Sequence, residues 1–406
     1  MLLPTMSTVQ TKKSVSFEDT SVAFAHQSDS KLRKTYLIFA MMNQNWLVKI
    51  GTFFIKIAIR LGLPIKFLIK NTLFEQFCGG ESIETCQKAI DNLAKAHVGT
   101  ILDYSVEGED NEKDFDKTTQ ELLLTINKSA SQQANIPFSV FKVSGIGSVE
   151  LLEKVQEHPE DLTPEDNAVF DRVKARVARL CEEASRLNVR LFFDAEESWI
   201  QDVIDQLCYD MMAKHNVKGK TIVYNTYQLY RWESYENLIA SCDKARKGGY
   251  TVGAKLVRGA YIEKERRRAF EMNYRDPIHN NKQETDEDFD KAVVYAIDNL
   301  DVLSICMGTH NENSCHLCMK LMAEKGIAND DKRVWFAQLL GMSDNISYNL
   351  ANAGYNVAKY VPYGPVEAVM PYLFRRAEEN SSIAGQSSRE FLLVKREIER
   401  RKAKNC

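Results

Sequence analysis

The sequence predicts an α/β protein, a (β/α)8 barrel preceded by a basic helical arm, and three observations carry that prediction. From residue 81 onward, helical stretches alternate with short runs of apolar, often β-branched residues, the pattern of a parallel sheet built from βα units. Eight such runs lie between Val98 and Val361, the number and spacing of a closed barrel, with a doubly wound open sheet as the competing arrangement. Polar residues recur where the runs finish, and the C-terminal strand ends are where such barrels form their sites.

Composition sets the outer bounds. A length of 406 residues allows two or three domains or one large barrel. A hydrophobic content of 44% and a charged content of 27% describe an ordinary soluble globular chain, and a formal net charge of -3 gives no reason to expect nucleic acid as a partner. The nine Cys are scattered and odd in number, and Met1 does not open a secretory signal, so free thiols in a reducing compartment are expected. Cys315 and Cys318 spell CxxC, but no second pair stands at zinc-site spacing, and no metal is expected.

Residues 1–30 are polar, Ser/Thr-rich and aperiodic, and are expected to be disordered. Lys12 and Lys13 without any Arg, followed early by Glu18 and Asp19, make only a weak mitochondrial transit peptide. Lys31 to Phe74 then holds no Asp or Glu, while Lys31, Arg33, Lys34, Lys49, Lys56, Arg60, Lys66 and Lys70 interrupt apolar groups such as Phe53-Phe54-Ile55. The interruptions come too often for a transmembrane span, which needs ~20 apolar residues in succession. Two readings fit: amphipathic helices on an anionic membrane surface, or an arm that wraps the barrel with its apolar stripe inward. The expected division is a disordered segment over 1–30, a basic amphipathic helical arm over 31–80, a barrel over 81–385 and a helical tail over 386–406.

Strands are predicted at Val98–Tyr104, Ser139–Val143, Arg190–Asp194, Thr221–Asn225, Thr251–Val257, Leu303–Met307, Val334–Gln338 and Val357–Val361. Between them lie helical patterns, among them Asn167–Leu187, Ser198–His215, Tyr235–Lys247, Asp286–Leu300 and Asn313–Lys325. The strand ends carry Asp103 running on to Glu107, then Lys142, Asp194, Asn225, Lys255, Thr309-His310-Asn311, Gln338 and Tyr360. Singly, each is consistent with a satisfied core polar group. Together at one end of a barrel they call for a ligand or a network of pairs.

After the last strand, Gly364-Pro365 makes a turn and a helix runs from Glu367, with Pro371 tolerated only in its first turn or at a kink. Tyr372, Arg375, Arg376 and Glu379 recur at i, i+3, i+4 and i+7 on one face. Two adjacent guanidiniums repel unless they share an anion, and a carboxylate fits their fork. Gly145-Ile146-Gly147 begins a dinucleotide fingerprint but lacks its third glycine, and no Walker loop, HExxH or GxSxG occurs. His310 has no second His at ligand spacing.

These segments resemble the proline dehydrogenase family. The resemblance is carried by LDYSVE (102–107), FFDAEE (192–197), VYNTYQ (223–228), AKLVRGAY (254–261), GTHN (308–311), QLLGMSD (338–344) and KYVPYGPVEAVMPYLFRRAEEN (359–380). It implies a distorted, TIM-like barrel holding FAD over the strand ends. It also implies oxidation of L-proline to Δ1-pyrroline-5-carboxylate, the first step of proline catabolism, with electrons passed to a membrane quinone. The branch resembled is the eukaryotic single-function enzyme, which implies a peripheral place on the matrix side of the mitochondrial inner membrane. Matching positions make Arg375 and Arg376 the substrate-carboxylate clamp, Glu107 the partner of Arg375, and Lys142, Asp194, Tyr261, Tyr360 and Tyr372 the rest of the substrate wall. Asn225, Lys255, Val257, Gly259, Ala260, Thr309, His310, Asn311, Gln338 and Glu379 match the flavin side, with Asn225 where bacterial members commonly carry Gln and Lys255 where they carry Arg. The rivals are 4-hydroxyproline oxidation, a folate-type flavin barrel and a non-enzymatic membrane scaffold. Tyr360, where the hydroxyproline class carries a smaller residue, argues against the first.

Overall fold

The computed structural model describes residues 15–61, 66–105, 110–382 and 386–404. In it, eight parallel strands close into a barrel in sequence order, which excludes the open sheet. They are β1 (Gly99–Tyr104), β2 (Phe138–Phe141), β3 (Arg190–Phe193), β4 (Val223–Gln228), β5 (Val252–Val257), β6 (Leu303–Gly308), β7 (Val334–Leu339) and β8 (Val357–Tyr363). The barrel closes through β1 and β8, in register from Gly99 opposite Ala358 to Tyr104 opposite Tyr363.

Period-two alternation divides each strand between two cores. Ile101, Val140, Phe192, Tyr224, Trp335 and Tyr360 are among those that point inward and pack together. Their neighbours Leu102, Phe141, Leu191, Val223, Leu256 and Val361 are among those that point outward, under the helices. The interior is filled rather than hollow: the Phe138 and Phe192 rings stack at 4.5 Å, with Tyr224 and Trp335 edge-on to Phe138 at 5.5 and 5.2 Å. Gly253 makes room for this floor, because a Cβ there would lie 2.4 Å from the Tyr224 ring.

Helices surround the barrel. Those that bear on the site and its flank are α1 (Asp29–Met42), α2 (Asn45–Arg60), α3 (Ser198–His215), α4 (Asp344–Asn352), α5 (Met370–Ser382) and α6 (Gln386–Lys404). The arm wraps. Ile38, Phe39 and Met42 of α1, with Ile69, Phe74 and Phe77, are buried against Val366 and Val369 just before α5 and Met370 and Leu373 within it. Lys34–Glu75 at 2.6 Å and Lys66–Glu367 at 3.2 Å tie two arm lysines to acids outside the acid-free stretch. No described helix is long and apolar enough to cross a membrane.

The expectation of disorder over 1–30 is corrected for residues 15–30; residues 1–14 lie outside the described residues. Asp19 caps a short helix, Thr20–Ala23, and Phe17 and Phe24 are buried. Ala23, Phe24 and Leu32 pack on Leu393 and Val394 of α6, Glu18 pairs with Arg389 and Arg396, and Arg401 donates to the carbonyls of Phe24 and Gln27. A polar, aperiodic segment thus gains order from partners at the far end of the chain.

Candidate active site

Three inward-pointing side chains meet over the aromatic floor. The Tyr360 hydroxyl donates to both carboxylate oxygens of Asp194, at 2.8 and 2.9 Å, and accepts from Lys255 Nζ at 3.1 Å. The Lys255 ammonium also pairs with Asp194 and lies 4.7 Å from the Tyr360 ring centroid. Each residue continues the inward phase of its strand, two positions after Phe192 on β3, Gly253 on β5 and Ala358 on β8. Burial, with the Asp194 charge beside it, pushes the Tyr360 phenol well above its ordinary value, so it remains a donor at neutral pH.

Asp103 joins this cluster from β1, two residues after the inward-facing Ile101. Burial and Asp194 push its carboxyl up to about 6, against Ser105 Oγ, which donates to it at 2.6 Å, and the charges of Lys142 and Lys255. Lys142, past the end of β2, also bears on the buried Glu196 and on Tyr261, whose phenol burial raises. Glu196 accepts from the backbone N–H of Ser144 at 3.0 Å and from its hydroxyl.

The loops after β5 and β6 form the adjoining wall. Gly259 has φ +138°, and a Cβ there would lie 2.4 Å from the Tyr230 ring, so only glycine follows this path. Arg258 bonds Asp286 at 2.5 Å, Thr309 Oγ1 at 2.7 Å and Ser314 Oγ at 3.0 Å, which ties the two loops together. His310 Nδ1 lies 2.8 Å from Ser343 Oγ; burial, then Lys359, Arg376 and Arg258, push its pKa down to about 3 and keep it neutral. Asn311 caps the next helix by accepting from the N–H groups of Asn313 and Ser314.

Above the β8 end, α5 begins at Met370 rather than at Glu367, which places Pro371 in its first turn and not at a kink. Tyr372 is buried, Arg375 and Arg376 are half-buried, and the Arg376 guanidinium lies 5.3 Å from the Tyr372 ring centroid. Leu339 links the two halves of the site, packing against both the cluster containing Tyr360 and the cluster containing Tyr372. Glu107 lies outside the described residues. Glu379 belongs to α5, and its side chain lies outside them as well.

Two flavin-side assignments are corrected. Asn225 belongs to the outward phase of β4, and its amide donates to Asp205 of α3 at 2.8 Å. The inward position is Gln228, whose amide donates to the Glu196 carbonyl at 2.7 Å and accepts from Ala260 N–H at 3.3 Å. Gln338 also points outward, between the Thr309 carbonyl at 3.0 Å and Ser347 Oγ of α4 at 2.8 Å, so it braces the His310 loop from behind. Gln228, Asp103 and Glu196 were not among the residues assigned to the site from sequence, and the first two join it only because the closed barrel fixes Tyr224 and Ile101 as inward-facing.

A family model described as Proline dehydrogenase matches residues 86–389. The chain is 34% identical over 335 residues to "Carbapenem antibiotics biosynthesis protein CarD" of Pectobacterium carotovorum subsp. carotovorum, covering 82% of this chain and 85% of that protein. It is 30% identical over 428 residues to "Proline dehydrogenase 1, mitochondrial" of Dictyostelium discoideum, covering 94% and 74%. The protein of the same name from Homo sapiens is 41% identical over 242 residues, covering 59% of this chain and 40% of that protein. Among solved structures, proline utilization A (PutA) from Bdellovibrio bacteriovorus, inactivated by N-propargylglycine, superposes with a TM-score of 0.71 at 18% identity. That match covers 91% of this chain and 37% of the larger one, and likeness at this identity speaks for the fold alone.

Proposed function

Because this chain belongs to the proline dehydrogenase family, we propose that it oxidises L-proline to Δ1-pyrroline-5-carboxylate and passes the electrons to a membrane quinone. The observation that carries the reading is the Tyr360–Asp194–Lys255 cluster at the C-terminal strand ends, next to the helix that bears Arg375 and Arg376. The family is FAD-dependent, and the donor set here fits that group. Lys255, the Gln228 amide, a neutral His310 and the glycine-shaped 258–261 backbone line one wall, with Val257, Ala260, Thr309 and Asn311. Glu379 is proposed to complete the wall from α5. FAD held there would supply the acceptor for the hydride leaving the carbon beside the ring nitrogen of proline.

The chain's own residues supply placement and charge. Arg375 and Arg376 form a fork that holds a carboxylate bidentately, and Glu107 is proposed to close over Arg375. Tyr261, Tyr360 and Tyr372 wall the ring and exclude water. The amine must be neutral before hydride leaves. Asp194 is already engaged by Lys255 and Tyr360, so it is little able to hold a substrate ammonium, while Lys142 and the two Arg disfavour another cation. Lys255 is also the cation best placed to balance negative charge gained in the redox step.

Tyr360 supports proline over 4-hydroxyproline. Its hydroxyl is held on three sides by Asp194 and Lys255, so its ring cannot swing away from an added ring hydroxyl. The relatives named mitochondrial support that compartment, and the matrix face of its inner membrane is proposed together with the quinone acceptor. The test is optical. Purified protein should be yellow and should bleach anaerobically with L-proline, with colour returned by a soluble ubiquinone analogue. A colourless protein, or a yellow one that proline leaves unchanged, defeats the proposal.

A further inference from the structure

We propose that α2 is a docking element for an anionic lipid surface, seated directly behind the helix that carries the arginine clamp. Trp46, Ile50, Phe53, Phe54, Ile57 and Leu61, five of α2 and the residue after it, are all exposed, Phe53 and Phe54 by 60% and 62%. At about 100° per residue they fall within a ~100° arc of the helix. Ile55 sits roughly opposite that arc and packs into the cluster shared with α5, so the inward side of α2 is already used. What remains is a band of large aromatic and aliphatic side chains facing solvent, beyond what isolated surface hydrophobes explain.

Charge decides the occupant. Residues 31–74 carry eight Lys and Arg and no Asp or Glu, and by helical register the basic positions 49, 56 and 60 fall along one edge of the apolar arc. A second copy docked on the same face would bring like charge to like charge. A bilayer with anionic headgroups accepts both the apolar band and its basic edge, with Trp46 suited to the interface. Where lysines of this segment do meet acids, Lys34–Glu75 holds one part of the arm to another, and Lys66–Glu367 and Lys70–Glu81 anchor it to the barrel side. The arm therefore serves both readings of the sequence: one side wraps the barrel and the other meets lipid. The proposal rests on the membrane quinone reading only for its purpose, since docking here would bring the α5 side of the barrel to the acceptor.

The test uses the full-length holoenzyme and sucrose-loaded vesicles of phosphatidylcholine with and without phosphatidylglycerol. Wild type should sediment with the anionic vesicles and weaken in 0.5 M salt. Phe53→Ser/Phe54→Ser should lower the partition coefficient about tenfold or more while dye-linked proline oxidation stays unchanged. Bromolipid quenching of wild-type tryptophan fluorescence answers without any variant: quenching supports insertion, and its absence overturns it. Equal binding of wild type and variant overturns the proposal, as does a wild-type dimer that the variant makes monomeric with no vesicle binding by either. Vesicle binding by a protein that does not oxidise proline would leave the docking inference standing and remove the catalytic one.

Discussion

Tyr360→Phe removes one oxygen and leaves the ring, which isolates the work of the hydroxyl. In the wild type that oxygen donates to Asp194 at 2.8 and 2.9 Å and accepts from Lys255 at 3.1 Å, all in a buried setting. Hydrogen bonds to charged groups are worth about 1.5–3 kcal/mol net, and each 1.4 kcal/mol is tenfold. Asp194 keeps Lys255, so its charge is not orphaned and the loss stays near the lower end of that range. The expected result is a fall of about 10- to 30-fold in the rate of anaerobic flavin reduction by proline, with the preference over 4-hydroxyproline intact because the ring remains. Tyr360→Ser should lose more proline efficiency through packing and should narrow the preference by making room. Stopped-flow reduction with both substrates on the three proteins is the assay. A Phe variant within twofold of wild type would show that the hydroxyl does not set the geometry of Asp194 and Lys255. A Ser variant with the wild-type substrate ratio would remove Tyr360 as the discriminator.

Arg375→Lys or Arg376→Lys should lower kcat/KM for proline by roughly tenfold or more, since the charge stays but the planar fork goes, and an unchanged double variant would take these residues out of the site. Gln228→Ala should weaken flavin retention or shift its spectrum, whereas Asn225→Ala should keep the flavin and cost about 1–3 kcal/mol in a urea melt by leaving Asp205 short of a donor; the opposite pattern would reinstate Asn225. Burial and the charge of Asp344 push Glu390 up to about 7, while Ser343 N–H donates to it. A carboxyl raised in the folded state stabilises below its ordinary pKa, and that stability is lost as pH rises through about 7. The unfolding free energy of wild type from urea melts should therefore fall relative to Glu390→Gln between pH 5 and 8, by an amount on the order of 3 kcal/mol at most; parallel curves would refute the shift.

Much of this protein was legible in the sequence because much of it is local. Every barrel strand was predicted, since a buried parallel strand announces itself as a short apolar run between helical periods. The paired arginines and the strand-end polar residues stood out because their types are costly in a core. What sequence could not settle was which side of a strand a residue faces. β4 was expected to end at Asn225, but pairing with β5 carries it on to Gln228 opposite Val257, and closure of the barrel sets the phase that turns Gln228 in and Asn225 out. The same phase sends Lys359 outward, fully buried and paired with Asp344 of α4 at 2.9 Å, one position before the inward Tyr360. Residues 15–30 show the other limit. Their order depends on Glu18 meeting Arg389 and Arg396, and on Phe24 and Gln27 meeting Arg401, across more than three hundred and fifty residues of chain. Local periodicity carries no trace of such contacts, because the partners become neighbours only after the barrel has brought both ends of the chain to the same flank.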